Sequence, residues 1–93
     1  MPWDEQSAKQ FGSAVRRLRE ERGISQETLA FQAGITKNQI QLIEAGRRSG
    51  RKEDAGHSNP RMSTLVGIAD VLQISSADLL FQANNPATPD VAA

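Results

Sequence analysis

Residues 25–46 read SQETLAFQAGITKNQIQLIEAG, and the placing of hydroxyl and glycine residues in this stretch decides the fold. Ser25 is an N-cap residue type, whose side-chain oxygen can accept a backbone N–H from the first helical turn. Behind it Leu29, Ala30 and Ala33 fall at helical spacing, and Gly34 can take the left-handed conformation that ends a helix. Thr36 then caps another helix carrying Ile40 and Ile43 on one face, and Gly46 offers a second left-handed stop. Two short helices are thus separated only by Gly34-Ile35-Thr36.

Upstream, Phe11, Val15 and Leu18 repeat at spacings of four and three, the stripe of an amphipathic helix that ends at Gly23 after a charged last turn. This helix spans Phe11 to Arg22, with a possible start near Asp4, a good N-cap. Trp3, just before Asp4, either staples onto Ala8, covers a core edge, or frays. Downstream, residues 47–59 are polar throughout and lie between helix breakers, which marks an exposed loop. Ser63 begins a fourth periodic segment with Leu65, Ile68, Ala69 and Leu72. Gly67 within it costs roughly 1 kcal/mol relative to alanine, which a close packing contact would justify. Ser75 caps a last short helix with Leu79 and Leu80. The expected organisation is a leader over residues 1–10, one domain over 11–82 with a long loop at 47–59, and a disordered Pro/Ala/Asn tail over 83–93. No strand, repeat or metal-ligand spacing is visible.

The chain of 93 residues suits one domain with a modest core. Eleven basic and eleven acidic residues give zero net charge, but the distribution is uneven. Residues 37–61 hold Lys37, Arg47, Arg48, Arg51, Lys52 and Arg61 against only Glu44, Glu53 and Asp54. Residues 62–93 hold Asp70, Asp78 and Asp90 with no cation. With no cysteine there is no disulfide framework or thiolate metal site, and a lone His57 builds no histidine cluster. The longest apolar stretches, such as Leu79-Leu80-Phe81, fall far short of the ~20 residues that span a bilayer. A cytoplasmic, nucleoid-associated protein without membrane contact or cofactor is expected.

At roughly 100° per residue, the helix after Thr36 has a clear polarity. With Ile40 as the origin, Ile43 and Thr36 share its face, whereas Lys37, Gln41, Ala45, Asn38 and Leu42 span about 60° to 200° on the other side. Asn and Gln donate and accept at once, as a base edge in the major groove requires, and Lys can address guanine acceptors. Any solvated helix face is polar, so this pattern gains weight only from the neighbouring helix that ends three residues earlier at a glycine turn.

Ser25 to Ala30, Ala33 to Thr36, Ile40 to Gly46, Asn59 to Leu65, Ile68-Ala69 and Ser75 to Leu80 together resemble the Cro/repressor-type (xenobiotic-response-element) helix-turn-helix family of DNA-binding regulators. The resemblance covers about Phe11 to Phe81. It implies an all-α, five-helix domain of lambda-repressor-like type, with the third helix entering the major groove. By position it implies that Lys37, Asn38, Gln41 and Leu42 face bases, with Leu42 suited to a thymine methyl. Gln26, Thr36, Arg47, Arg48 and Arg61 would contact phosphates, and Gln26 would also buttress Lys37. Arg19 and Glu44 match a buried ion pair, a structural role. The loop is about ten residues longer than the family's usual connection, and is either a basic flap along the DNA backbone or a disordered insert.

The resulting expectation is a sequence-specific transcriptional regulator that binds double-stranded DNA at a two-fold operator as a homodimer, with Phe81 and Leu80 as interface candidates. The alternative is a module that turns the same fold against a protein partner, as an antitoxin or adaptor does. An enzyme is not expected, since no histidine, cysteine or carboxylate pair is placed for catalysis.

Overall fold

The computed structural model describes residues 3–54 and 56–84. Among them run five helices, α1 (Glu5–Glu21), α2 (Gln26–Ala33), α3 (Lys37–Ala45), α4 (Met62–Val71) and α5 (Ser76–Asn84), with no strand. Each start has a local cause. The Asp4 carboxylate accepts the Ser7 N–H at 2.8 Å and its hydroxyl at 2.9 Å, bonds that hold the Asp4 carboxyl below its usual range. Ser25 accepts the Thr28 N–H at 3.0 Å, and Ser75 accepts the Asp78 N–H at 3.0 Å.

Around α3 the capping is reciprocal. Thr36 Oγ1 accepts the Gln39 N–H at 3.1 Å, while Gln39 Oε1 accepts the Thr36 N–H at 2.9 Å. Gly34 and Gly46 close α2 and α3 with φ of 80° and 73°, a region that costs other residues strain.

The first helix takes the earlier start that the sequence allowed, near Asp4, and two other boundaries depart from the sequence expectation. The first helix begins at Glu5, so the leader is mostly helical, and Ser7 and Ala8 are buried. Met62 opens α4, with Arg61 at the N-cap making no side-chain cap bond. At the far end α5 continues through Asn84, and Ala83, assigned to the tail, is buried; residues 85–93 lie outside the described residues. At α1 and α5 the packed face extends past the periodic run that marked it, whereas Met62, the added residue of α4, is exposed.

Phe11, Val15, Leu29, Ile40, Ile68, Leu72 and Leu79 are fully buried and form the centre of one core. Burying such a side chain contributes roughly 1.5–3 kcal/mol. Around this core α1 packs on α3 and α5, and α2 packs on α3 and α4. Two crossings depend on missing side chains. A Cβ on Gly67 would sit 2.9 Å from the Ala33 carbonyl oxygen, the close α4–α2 contact that justifies glycine inside α4. A Cβ on Gly12 would meet the Ile43 carbonyl oxygen and lie 2.8 Å from that of Glu44, so α1 touches the last turn of α3 backbone to backbone.

The loop after α3 bonds to itself and to the close of that helix. Arg47 and His57 form an isolated antiparallel bridge, Arg48 N–H donates to the Gly56 carbonyl at 3.1 Å, and Ser58 N–H donates to that of Gly46 at 3.1 Å. Trp3 covers the core edge, its ring set edge-on to Phe11 with centroids 5.7 Å apart. Phe31 is 83% exposed on the outer side of α2. Among the described residues no single helix is long and apolar enough to cross a membrane.

Candidate nucleic-acid interface

The two halves of α3 are treated differently by the fold. Ile40 and Ile43 anchor one face in the core, whereas Lys37, Asn38 and Gln41 are exposed. Those three side chains make no hydrogen bond or ion pair among the described residues, so their donors and acceptors face solvent. Leu42 is only half-buried and turns toward an open cleft that it lines with Gln39, Arg47, His57, Ser58 and Arg61. It therefore sits at the rim of the amide face, beside the loop, and not at its centre.

On the opposite flank, Gln41 and Ala45 share a second cleft with Arg16, Arg19, Gln26 and Glu44. At its base lies the expected ion pair. Arg19 Nε meets Glu44 Oε2 at 2.7 Å and Arg19 Nη2 meets Glu44 Oε1 at 3.2 Å, with side-chain exposures of 12% and 4%. A third guanidinium N–H donates to the Ile24 carbonyl at 3.0 Å. This bidentate geometry, with the charge facing it, pushes the Arg19 guanidinium further up. The pair ties α1 to the last turn of α3.

Gln26 does not buttress Lys37. Its amide nitrogen donates to Glu44 Oε1 at 3.0 Å, because the buried carboxylate has acceptor capacity left to satisfy. Gln39, given no role by the sequence reading, completes the capping box; the signal was its place three residues after Thr36.

The expected phosphate-contacting cations divide. Arg61 is exposed and has no partner among the described residues. Arg47 turns inward, its guanidinium donating to the Arg51 carbonyl at 2.8 Å and the Asp54 carbonyl at 3.4 Å. Arg48 Nε lies 3.0 Å from both Asp54 carboxylate oxygens, and Arg48 Nη2 lies 2.9 Å from one of them. The guanidinium, aided by the Gly56 N–H, holds the Asp54 carboxyl down to about 2. Both arginines thus brace the loop, a use that sequence alone did not reveal because their partners lie within the unassigned segment.

A tight helical pair whose second member presents bare amides and a cation, held from behind by apolar anchors and a buried ion pair, defines a helix-turn-helix DNA-binding protein. The helix-turn-helix domain family model matches residues 10–80, and the chain belongs to that family. It is 32% identical over 72 residues to the uncharacterized HTH-type transcriptional regulator y4dJ of Sinorhizobium fredii, covering 77% of this chain and 80% of the relative. Among solved structures it is similar to the restriction-modification controller protein C.AhdI from Aeromonas hydrophila. That match has a TM-score of 0.65, 30% identity, and coverage of 77% of this chain and 94% of the other. The clp gene regulator ClgR from C. glutamicum shares the fold, with a TM-score of 0.65 at 21% identity over 90% and 96% of the two chains. These relatives are regulators, not enzymes.

Proposed function

We propose that the protein is a sequence-specific transcriptional regulator that binds a two-fold operator as a homodimer, with α3 in the major groove of each half-site. The observation that carries this is the bare row of Lys37, Asn38 and Gln41 on a helix whose opposite face is buried. Asn38 and Gln41 each offer a donor and an acceptor to a base edge, Lys37 addresses guanine, and Leu42 meets a thymine methyl from the rim. Arg61 and the remaining amide donor of Gln26 hold flanking phosphates. Thr36, Arg47 and Arg48 join them only by exchanging an intramolecular partner for a phosphate oxygen.

Dimerisation would place two α3 helices in half-sites about one helical turn, roughly 34 Å, apart. Phe81, 64% exposed on α5, and the half-buried Leu80 beside it are the proposed contact; Leu79, fully buried, belongs to the core.

Selection of bound duplexes from random sequence tests the proposal. The expected product is a palindromic site with that spacing. Asn38→Ala or Gln41→Ala is expected to lower the preference for that site by about 1–3 kcal/mol at the base concerned. Enrichment of no common sequence would overturn base reading, and an unpaired single half-site would overturn the dimer.

A further inference from the structure

The loop over residues 47–59 is polar, so little burial holds it, yet it forms an ordered bridge beside α3. Most of its hydrogen bonds are internal. At its two roots the backbone is tied to the end of α3, Arg47 N–H donating to the Leu42 carbonyl at 2.9 Å and Ser58 N–H to the Gly46 carbonyl at 3.1 Å. The one side chain from outside the loop that donates to it among the described residues is Trp3, whose indole N–H reaches the Ser58 carbonyl at 2.7 Å. The loop's entry is seated on the same end of α1, where a Cβ at Gly46 would lie 3.1 Å from Lys9 Cα. Both roots of the loop therefore rest on the first residues of the chain, and Ser58 itself lines the cleft next to Leu42.

The charges within the loop are partly cancelled. Arg48 is held by Asp54, and Arg51 lies 3.4 Å from Glu53 in a pair that is largely exposed and weak. Lys52 is exposed and has no partner among the described residues. Arg47, Arg48, Arg51 and Lys52 against Glu53 and Asp54 leave the loop positive.

We propose that Trp3 is a positioning residue for DNA binding. By fixing the Ser58 carbonyl it holds the loop as a preformed arm, so that Lys52, with Arg51, meets backbone phosphates without first having to order the segment. This rests on the DNA-binding role proposed above. A loop that must order on contact binds more weakly by the fraction of time it is correctly placed.

The test is Trp3→Phe, which keeps a ring against Phe11 and removes the N–H, combined with Lys52→Ala. Backbone amide exchange at Arg48 and Ser58 is expected to accelerate in Trp3→Phe. Affinity is expected to fall about threefold to tenfold, the scale of one hydrogen bond. Lys52→Ala should flatten the slope of log affinity against log salt by roughly 0.9 in the parent and by clearly less in Trp3→Phe. An equal flattening in both backgrounds, no flattening in the parent, or parental affinity in Trp3→Phe would overturn the proposal. Lys52→Ala is a surface change that leaves folding intact, so its arm is readable even if Trp3→Phe unfolds. The same titrations on an unrelated duplex separate this from base reading: the arm touches phosphates alone, so both substitutions act there equally even where no preferred site exists.

Discussion

Gly12→Ala sets two physical effects of opposite sign against each other. Within an exposed helix, alanine in place of glycine would stabilise by about 1 kcal/mol. At Gly12 the new methyl group would instead meet the Ile43 carbonyl oxygen and lie 2.8 Å and 2.9 Å from the carbonyl oxygen and carbon of Glu44. Ordinary contact is about 3.5 Å, and these are backbone atoms with no rotamer to escape into, so α1 and α3 must part by roughly 0.5–1 Å. The Gly46 N–H already donates to the Ile43 carbonyl at 3.0 Å, so the shift also strains the close of α3. Overpacking of this kind costs about 1–3 kcal/mol, and three backbone contacts put it at the upper end. The net expectation is a loss of roughly 2 kcal/mol, or about 8–16 °C in melting temperature for a domain of this size. Thermal unfolding followed by circular dichroism measures it. Gly50→Ala, where a Cβ meets nothing within 4 Å, serves as the control and should move little. A Gly12→Ala protein as stable as the parent would refute the close crossing and with it the account of how α3 is seated.

Glu44→Ala should destabilise by roughly 3–5 kcal/mol, because it leaves the Arg19 guanidinium largely buried without its carboxylate and also strips Gln26 of its acceptor; chemical denaturation reads the loss. Asp54, held at about 2 by Arg48, contributes to loop order above its ordinary range near 3.8, and that contribution disappears as pH falls toward 2. A carbon-detected titration of the Asp54 carboxyl should show the low midpoint, and Arg48→Ala should raise it toward the ordinary range, with the Gly56 N–H still holding it somewhat below.

The number and kind of elements were legible before any tertiary contact. Ser25, Thr36 and Ser75 are caps because a hydroxyl at the helix start answers N–H groups a few residues away, and Gly34 and Gly46 are stops because a positive φ suits glycine; both effects are local. The outward position of Lys37, Asn38 and Gln41 followed from helical periodicity once Ile40 and Ile43 marked the buried side. The Arg19–Glu44 pair was anticipated only by resemblance, since nothing within either helix points to a partner across the fold. Only the folded chain could show that Gly12 lets α1 touch the end of α3, that Leu42 sits at the rim, and that Arg47 and Arg48 turn into their own loop. It also revealed that Trp3 reaches Ser58, 55 positions along the chain. A cap or a stripe is written within one turn of helix, but the partner of a long polar side chain depends on which distant segments the core brings together.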